Sequence, residues 1–235
     1  MFTKSARFYD SLYAFKDYAG AASEIRQLVR ARRPAARSLL DVACGTGRHL
    51  EALRADFTVE GLDLNPDLLR IARERLPDTP LHQADMTSFD LGRRFDVVTC
   101  LFSSIGYVRT AERLRRAVAR MAAHVAPGGL LLIEPWFSAE SYWTGTITGN
   151  FVDEPELKIA WMYVSERRDH LSVLDIHYMV GRPEGIEQFN EVHEMGLFTP
   201  DEYAAAIRDA GMEHESDDRG FFGRGLHVGF APAAR

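Results

Sequence analysis

Cysteine is scarce in this chain, with only Cys44 and Cys100 among 235 residues. Two thiols so placed make neither a disulfide framework nor a zinc motif. Each closes an apolar run, which points to reduced residues in the core. Positive charge is not in excess either: 28 Lys and Arg against 34 Asp and Glu leave a net charge of -6, which argues against a nucleic-acid binder. The start, Met1-Phe2-Thr3-Lys4-Ser5, carries no apolar signal region, and no run approaches transmembrane length. The expectation is therefore a cytoplasmic protein without a membrane partner. His49, His82 and His124 lack ligand spacing, so no metal is expected. A dinucleotide fingerprint is missing too: after Gly45-Thr46-Gly47 the position for its third glycine is Leu50, and no Walker loop occurs.

What is present is an apolar strand running into that Gly-x-Gly turn, Leu39-Leu40-Asp41-Val42-Ala43-Cys44-Gly45-Thr46-Gly47. Eighteen positions after Gly45, a second short strand ends in an acid, Asp63. Glycines let backbone approach a ligand without a Cβ in the way. An acid at the tip of the next strand can accept from both hydroxyls of a ribose. Together they read as a nucleoside-cofactor site at the carboxyl edge of a parallel sheet. Asp41, just before the turn, suits a cationic or amine-bearing ligand better than a pyrophosphate.

Apolar strands at 38–44, 59–62, 81–84, 95–101 and 130–134 alternate with helices at 47–55, 66–76 and 111–124. Asn65 before Pro66 is N-cap chemistry. Such alternation predicts an α/β fold with a doubly wound, Rossmann-like parallel sheet. Residues 1–34 read as one or two amphipathic helices forming a lid. Between 140 and 197 the period changes to strand-like alternation, with Asp169-His170 as a hairpin tip, so an antiparallel β layer is expected to interrupt a core of 35–139 and 198–231. Thr199-Pro200-Asp201-Glu202 signals a further helix, ended by Gly211, and 225–230 a last strand.

An acid, three residues, Gly-x-Gly and then an acid ending strand two resembles the class I S-adenosylmethionine (SAM) methyltransferases. That resemblance implies SAM as cofactor. Asp41, Ala43, Cys44, Gly45 and Gly47 would hold its methionine end, Asp63 its ribose and Leu64 the adenine face. Asp85 and Met86 would meet the adenine, with Phe102 and Ser103 where the chain crosses under the cofactor and Tyr9 and Tyr18 closing over it. More specifically, Phe8-Tyr9-Asp10-x-x-Tyr13, Lys16-Asp17-Tyr18, Phe102-Ser103-Ser104-Ile105-Gly106-Tyr107, Glu134-Pro135-Trp136 and Gly223-Arg224-Gly225-Leu226 are similar to stretches of the TDP-amino-sugar N,N-dimethyltransferases of macrolide antibiotic pathways. Asp63 stands where that family is expected to carry Glu. The resemblance implies methyl transfer to the amine of a nucleotide-linked deoxysugar, and a homodimer with the antiparallel layer at or near its interface.

An amino sugar arrives as an ammonium and must lose a proton before attack. Tyr13, Tyr107, His177 and His193 are candidates to accept or orient it. The two tyrosines can also face the methylsulfonium with their rings or serve as core aromatics, and the two histidines can be plain sheet-face residues. Arg224, flanked by glycines, is the candidate for a diphosphate. Trp136, Phe137 and Trp143 either stack a base or fill the layer interface. Two other readings use the same motifs: a methyltransferase of another small-molecule amine or hydroxyl, and a SAM-binding interaction module without catalysis.

Overall fold

The computed structural model describes residues 2–233. Two apolar faces on each central strand decide the architecture. In β1 (Ser38–Val42), Leu39 and Leu40 are both fully buried but point to opposite sides. Strands buried on both faces belong between helical layers. Leu39 packs with Ile25 and Val29 of α2 (Tyr18–Arg32) and Leu50 and Leu53 of α3 (Arg48–Leu53). Leu40 belongs to the opposite cluster, with Leu114 and Val118 of α5 (Ala111–Ala123) and Ile207 of α6 (Pro200–Asp209).

The main sheet has seven strands in the order β10-β11-β5-β4-β1-β2-β3. Its parallel members are β1, β2 (Thr58–Asp63), β3 (Leu81–Gln83), β4 (Phe95–Cys100) and β5 (Val125–Ile133). Strand β11 (Leu226–Phe230) adds antiparallel to β5, and β10 (Glu213–Asp217) antiparallel to β11. The order turns at β1, between β4 and β2, and a crevice opens there at the strands' carboxyl ends. Helix α4 (Pro66–Arg75) follows β2, its first turn held by the Asn65 side chain, which accepts from Asp67 N and Leu68 N.

Four antiparallel strands form the second sheet, in the order β6 (Ile147–Glu154), β7 (Leu157–Arg168), β8 (Leu171–Arg182) and β9 (Gly185–Gly196). Asp169, at the β7–β8 tip, has φ +53°. The inner face carries Ile159, Leu174, Ile176 and Tyr178, which pack on Phe8 and Leu12 of the amino-terminal segment. Ile147, Phe151, Met162, Met179 and Ile186 on the outer face are exposed. The fold class read from the alternation of strands and helices is the one observed.

Local details depart from the sequence pattern. The amino-terminal helical run divides into a 3-10 turn, the single-turn α1 (Tyr9–Leu12) and the long α2, because the Asp17 side chain caps α2 afresh by accepting from Gly20 N at 2.8 Å. Pro127-Gly128-Gly129 is no turn before β5 but an irregularity inside it, where the register against β4 shifts between Phe95 and Val97. Strand β10 escaped the pattern because Glu213, Glu215, Ser216 and Asp217 lie exposed on an edge strand and bury no apolar row.

Candidate active site

The crevice at the turn of the sheet leads into two cavities. The first, of about 370 Å³, opens over the ends of β1 and β2. Backbone geometry shapes it. Ala43 and Gly45 have φ of +61° and +57°, and Phe102 and Ser103, after β4, have +51° and +61° but line the second cavity and not this one. Non-glycine residues rarely adopt this region, and such strain clusters at ligand sites. A Cβ added to Gly45 would meet nothing within 4 Å, so the loop borders open space. Gly47 (φ +78°) lies off the cavity wall and shapes the turn instead, as the N-cap residue of α3.

Asp63 joins the loop to β2. One oxygen accepts from Gly45 N and the other from Asn65 N, each at 2.8 Å. Burial raises its pKa against these two bonds. Asp41 lies deeper, 1 % exposed, with the Thr99 hydroxyl donating to it at 2.7 Å. Burial, reinforced by the nearby Asp63 charge, pushes its pKa up to about 7. Leu64 forms an open apolar lip and Met86 a wall. Asp85 also borders the cavity, but Thr87 N and the Thr87 hydroxyl donate to one oxygen and Arg113 to the other at 3.0 Å, which holds its pKa low. Cys44 sits behind the loop, and its thiol occupies the space a Cβ on Gly61 would need. Burial drives that thiol's pKa up, so it stays neutral. Tyr18 reaches a small cleft behind Tyr9, with its phenol pKa raised to about 12 by burial.

The second cavity, of about 290 Å³, lies between the two sheets and shares Phe2, Tyr9, Ser104 and Tyr107 with the first. Tyr13, Trp136, Tyr163 and Tyr178 line it. The Tyr107 hydroxyl and His193 Nδ1 are hydrogen-bonded at 2.7 Å. His193 is 2 % exposed, and desolvation lowers its pKa, which favours the neutral ring. Burial raises the pKa values of Tyr9, Tyr13 and Tyr107, so their phenols stay protonated. Arg224 enters from the loop before β11. Its guanidinium lies 5.1 Å from the Trp136 ring and 5.4 Å from Phe137, and it donates to the Ser103 hydroxyl at 3.2 Å. Trp136 Nε1 donates to Ser172 Oγ at 2.8 Å, which fixes the indole against the antiparallel sheet.

His177 is the candidate the fold separates from the rest. Its side chain is 68 % exposed on the outer face of the antiparallel sheet, beside Asp175. Strand alternation turns it to the side opposite Ile176 and Tyr178, so it reaches neither cavity.

Two carboxylates carry no role in the sequence reading. Glu134, fully buried after β5, accepts from Phe102 N at 2.5 Å and holds the strained loop after β4. Glu191 of β9 accepts from Thr3 N at 2.9 Å and Ser5 N at 3.1 Å, and from both hydroxyls, so it latches the amino-terminal segment over the cavities. Glu134 stands in the Glu134-Pro135-Trp136 stretch, but nothing local assigns it a partner, and no motif marks Glu191, because each partner is remote in sequence. Among the described residues, no group of three or more His, Cys, Asp or Glu is placed to hold a metal, and no helix is long and apolar enough to cross a membrane.

A family model described as a methyltransferase domain matches residues 39–129, the segment that carries the glycine loop, Asp63 and Asp85. The dTDP-4-amino-2,3,4,6-tetradeoxy-D-glucose N,N-dimethyltransferase of Saccharopolyspora spinosa is 44 % identical over 227 residues, 95 % of this chain and 91 % of that protein. The dTDP-3-amino-3,4,6-trideoxy-alpha-D-glucopyranose N,N-dimethyltransferase of Streptomyces venezuelae is 44 % identical over 228 residues, 95 % of this chain and 96 % of that one. The chain belongs to the amino-sugar N,N-dimethyltransferase family. Among solved structures, SAM-bound CalS10, an amino pentose methyltransferase from Micromonospora echinaspora, superposes with a TM-score of 0.87 at 40 % identity, covering 98 % of this chain and 97 % of that one.

The enzyme is thus a SAM-dependent methyltransferase, and the first cavity fits the cofactor on its own geometry. Asp63 is fixed by two backbone donors at the edge of the cavity, as a ribose acceptor must be, and the open space over Gly45 admits a ligand against the backbone.

Proposed function

We propose that this methyltransferase acts on the amine of a TDP-linked amino deoxysugar in natural-product biosynthesis, and that Tyr13, Tyr107, His193, Trp136 and Arg224 form its acceptor site. The observation that carries the reading is the second cavity: lined largely by aromatic rings, with one stacked guanidinium, and joined to the first cavity through Phe2, Tyr9, Ser104 and Tyr107. Both curated relatives are named for dTDP-amino-sugar substrates, one with a 3-amine and one with a 4-amine.

When bound, SAM supplies a methyl group already activated on a sulfonium. The protein's work is to align, desolvate and handle one proton. Asp63 holds the ribose, and Gly45 offers backbone to the tail. Arg224 makes bidentate contact with the diphosphate, and the Trp136 and Phe137 rings keep its guanidinium over the site. The phenols of Tyr13 and Tyr107 orient the acceptor amine. The ammonium proton passes to the Tyr107 hydroxyl oxygen as that hydroxyl gives its own proton to neutral His193 Nδ1, which holds it as the imidazolium. The aromatic walls exclude water.

The reading extends to a homodimer through the exposed outer face of the antiparallel sheet, where Ile147, Phe151, Met162, Met179 and Ile186 lie together, and to a cytoplasmic location. Light scattering of the chain beside a Phe151→Glu variant tests the dimer.

The deciding experiment is mass-spectrometric turnover of SAM against TDP-3-amino and TDP-4-amino deoxysugars, with free amino sugars and hydroxyl acceptors as controls. A gain of one or two methyls on a nucleotide-linked amine supports the reading. Turnover confined to free amines or hydroxyls overturns it.

A further inference from the structure

Behind Tyr9, a cleft of about 20 Å³ continues from the glycine loop, walled by Tyr18, Thr46, Arg48, His49 and Phe102. That is room for a group of one or two water volumes. Two nitrogens in its wall, Arg48 Nε and His49 Nε2, are buried without a hydrogen-bond partner, and so is Lys16 Nζ, which lies outside the lining against two of its rings, Tyr18 and Phe102. Lys16 is 8 % exposed and His49 7 %. The Lys16 ammonium lies over the Phe102 ring, 4.2 Å from the centre of Phe222 and 5.1 Å from that of Tyr18. His49 meets both Tyr18 and Phe222 edge-on. Arg48 Nε comes only to 3.5 Å from Asp10.

Buried donors without partners are costly, and a cluster of them implies an acceptor that is not part of the chain. Two nitrogens in the wall of one cleft and a third behind its rings, all on basic side chains, favour an anion. The tail of SAM is a zwitterion, and the site has both halves of a match: acids at Asp41 and Glu134, nitrogens at Lys16 and His49. We propose that Lys16, with His49 beside it, binds the α-carboxylate of the cofactor's methionine tail, leaving the α-ammonium to the side of Asp41. This rests on the cofactor and not on the acceptor reading, so it stands or falls independently of which substrate is methylated.

Burial pulls the Lys16 pKa down to about 6, opposed by Glu134 and Asp41 and assisted by Arg224. His49 beside it is held neutral, its pKa lowered to about 3 by burial and by the Lys16 charge. At neutral pH, Lys16 then sits largely as the free amine. Arrival of a carboxylate favours the ammonium, so the amine takes one proton from buffer as the ion pair forms. Asp41 titrates in the same range, and its contribution is removed by comparing variants that leave it intact.

The experiment is titration calorimetry of the full chain with S-adenosylhomocysteine and with 5′-methylthioadenosine, which has the same nucleoside and no amino-acid tail, in buffers of different ionisation enthalpy. Lys16→Met is expected to weaken S-adenosylhomocysteine on the order of 10- to 100-fold. It should leave 5′-methylthioadenosine within about 2-fold and reduce proton uptake by up to about one proton. Lys16→Arg keeps a permanent cation, so it should retain most of the affinity yet lose the uptake. Equal weakening of both ligands by Lys16→Met, unchanged S-adenosylhomocysteine binding, or undiminished proton uptake in Lys16→Arg would each overturn the assignment.

Discussion

The cavity that fits the cofactor and the proposed acceptor cavity meet at Phe2, Tyr9, Ser104 and Tyr107, yet they are built in different ways. The cofactor side uses strand ends and backbone. Its key acid, Asp63, is held by two main-chain donors, and its loop owes its shape to residues at positive φ. The acceptor side uses side-chain surfaces gathered from an amino-terminal helix, the loop after β4, the antiparallel sheet and the loop before β11. Backbone preorganisation suits a ligand common to a whole superfamily. Side-chain walls can be exchanged without disturbing the sheet, so acceptor choice is free to vary on a constant frame.

Substitutions on each side test that division. The largest effect is expected on stability, at Asp41. Its folded pKa of about 7 exceeds the ordinary 3.8. The folded state therefore holds the proton more tightly than the unfolded state, and stability present below the unfolded pKa is lost as pH rises through the folded one. The difference corresponds to on the order of 4 kcal/mol between pH ~4 and ~7. Denaturant titrations across this range should show Asp41→Asn flattening that dependence. Next, Asp63→Ala removes the proposed ribose acceptor and strands two backbone donors. S-adenosylhomocysteine affinity should fall roughly 100-fold, with the acceptor KM nearly unchanged, and a comparable rise in acceptor KM would break the separation of the two sides.

On the acceptor side, Arg224→Met should raise the KM for a nucleotide-linked sugar by about 30-fold, while affinity for S-adenosylhomocysteine stays put. Steady-state kinetics beside calorimetry reads both. A smaller loss, about 10-fold in kcat, is expected for Tyr107→Phe, which removes the 2.7 Å hydrogen bond to His193 and leaves its Nδ1 bare. The pH profile of kcat should shift in that variant. The smallest effect belongs to His177→Ala, whose kcat and KM should match the parent, since this exposed ring reaches neither cavity.

Much of the cofactor side was legible because its signals are short-range. A Gly-x-Gly after an apolar run, an acid eighteen positions after the first of those glycines and an Asn-Pro helix start are each contained in one strand-turn-helix unit. The same locality explains the misreadings. Pro127-Gly128-Gly129 has turn chemistry, but sheet pairing on either side absorbs it as an irregularity. His177 sits in a strand whose alternation was visible, but which of its faces turns inward depends on how the antiparallel sheet docks on Phe8 and Leu12. Lys16 and Glu134 stood in recognisable stretches, yet nothing local says that one ends unpartnered beside the glycine loop while the other grips Phe102 N.

Composition, period and turn chemistry alone determined the parallel sheet, the place of its crevice and the nucleoside character of the ligand there, because hydrogen-bonded strand units and their caps are dictated within about ten to twenty residues. Tertiary structure alone decided the acceptor cavity. Tyr13, Tyr107, His193 and Arg224 become neighbours only when the antiparallel sheet and the amino-terminal segment close over the crevice, and long-range side-chain packing leaves no periodic trace in the chain.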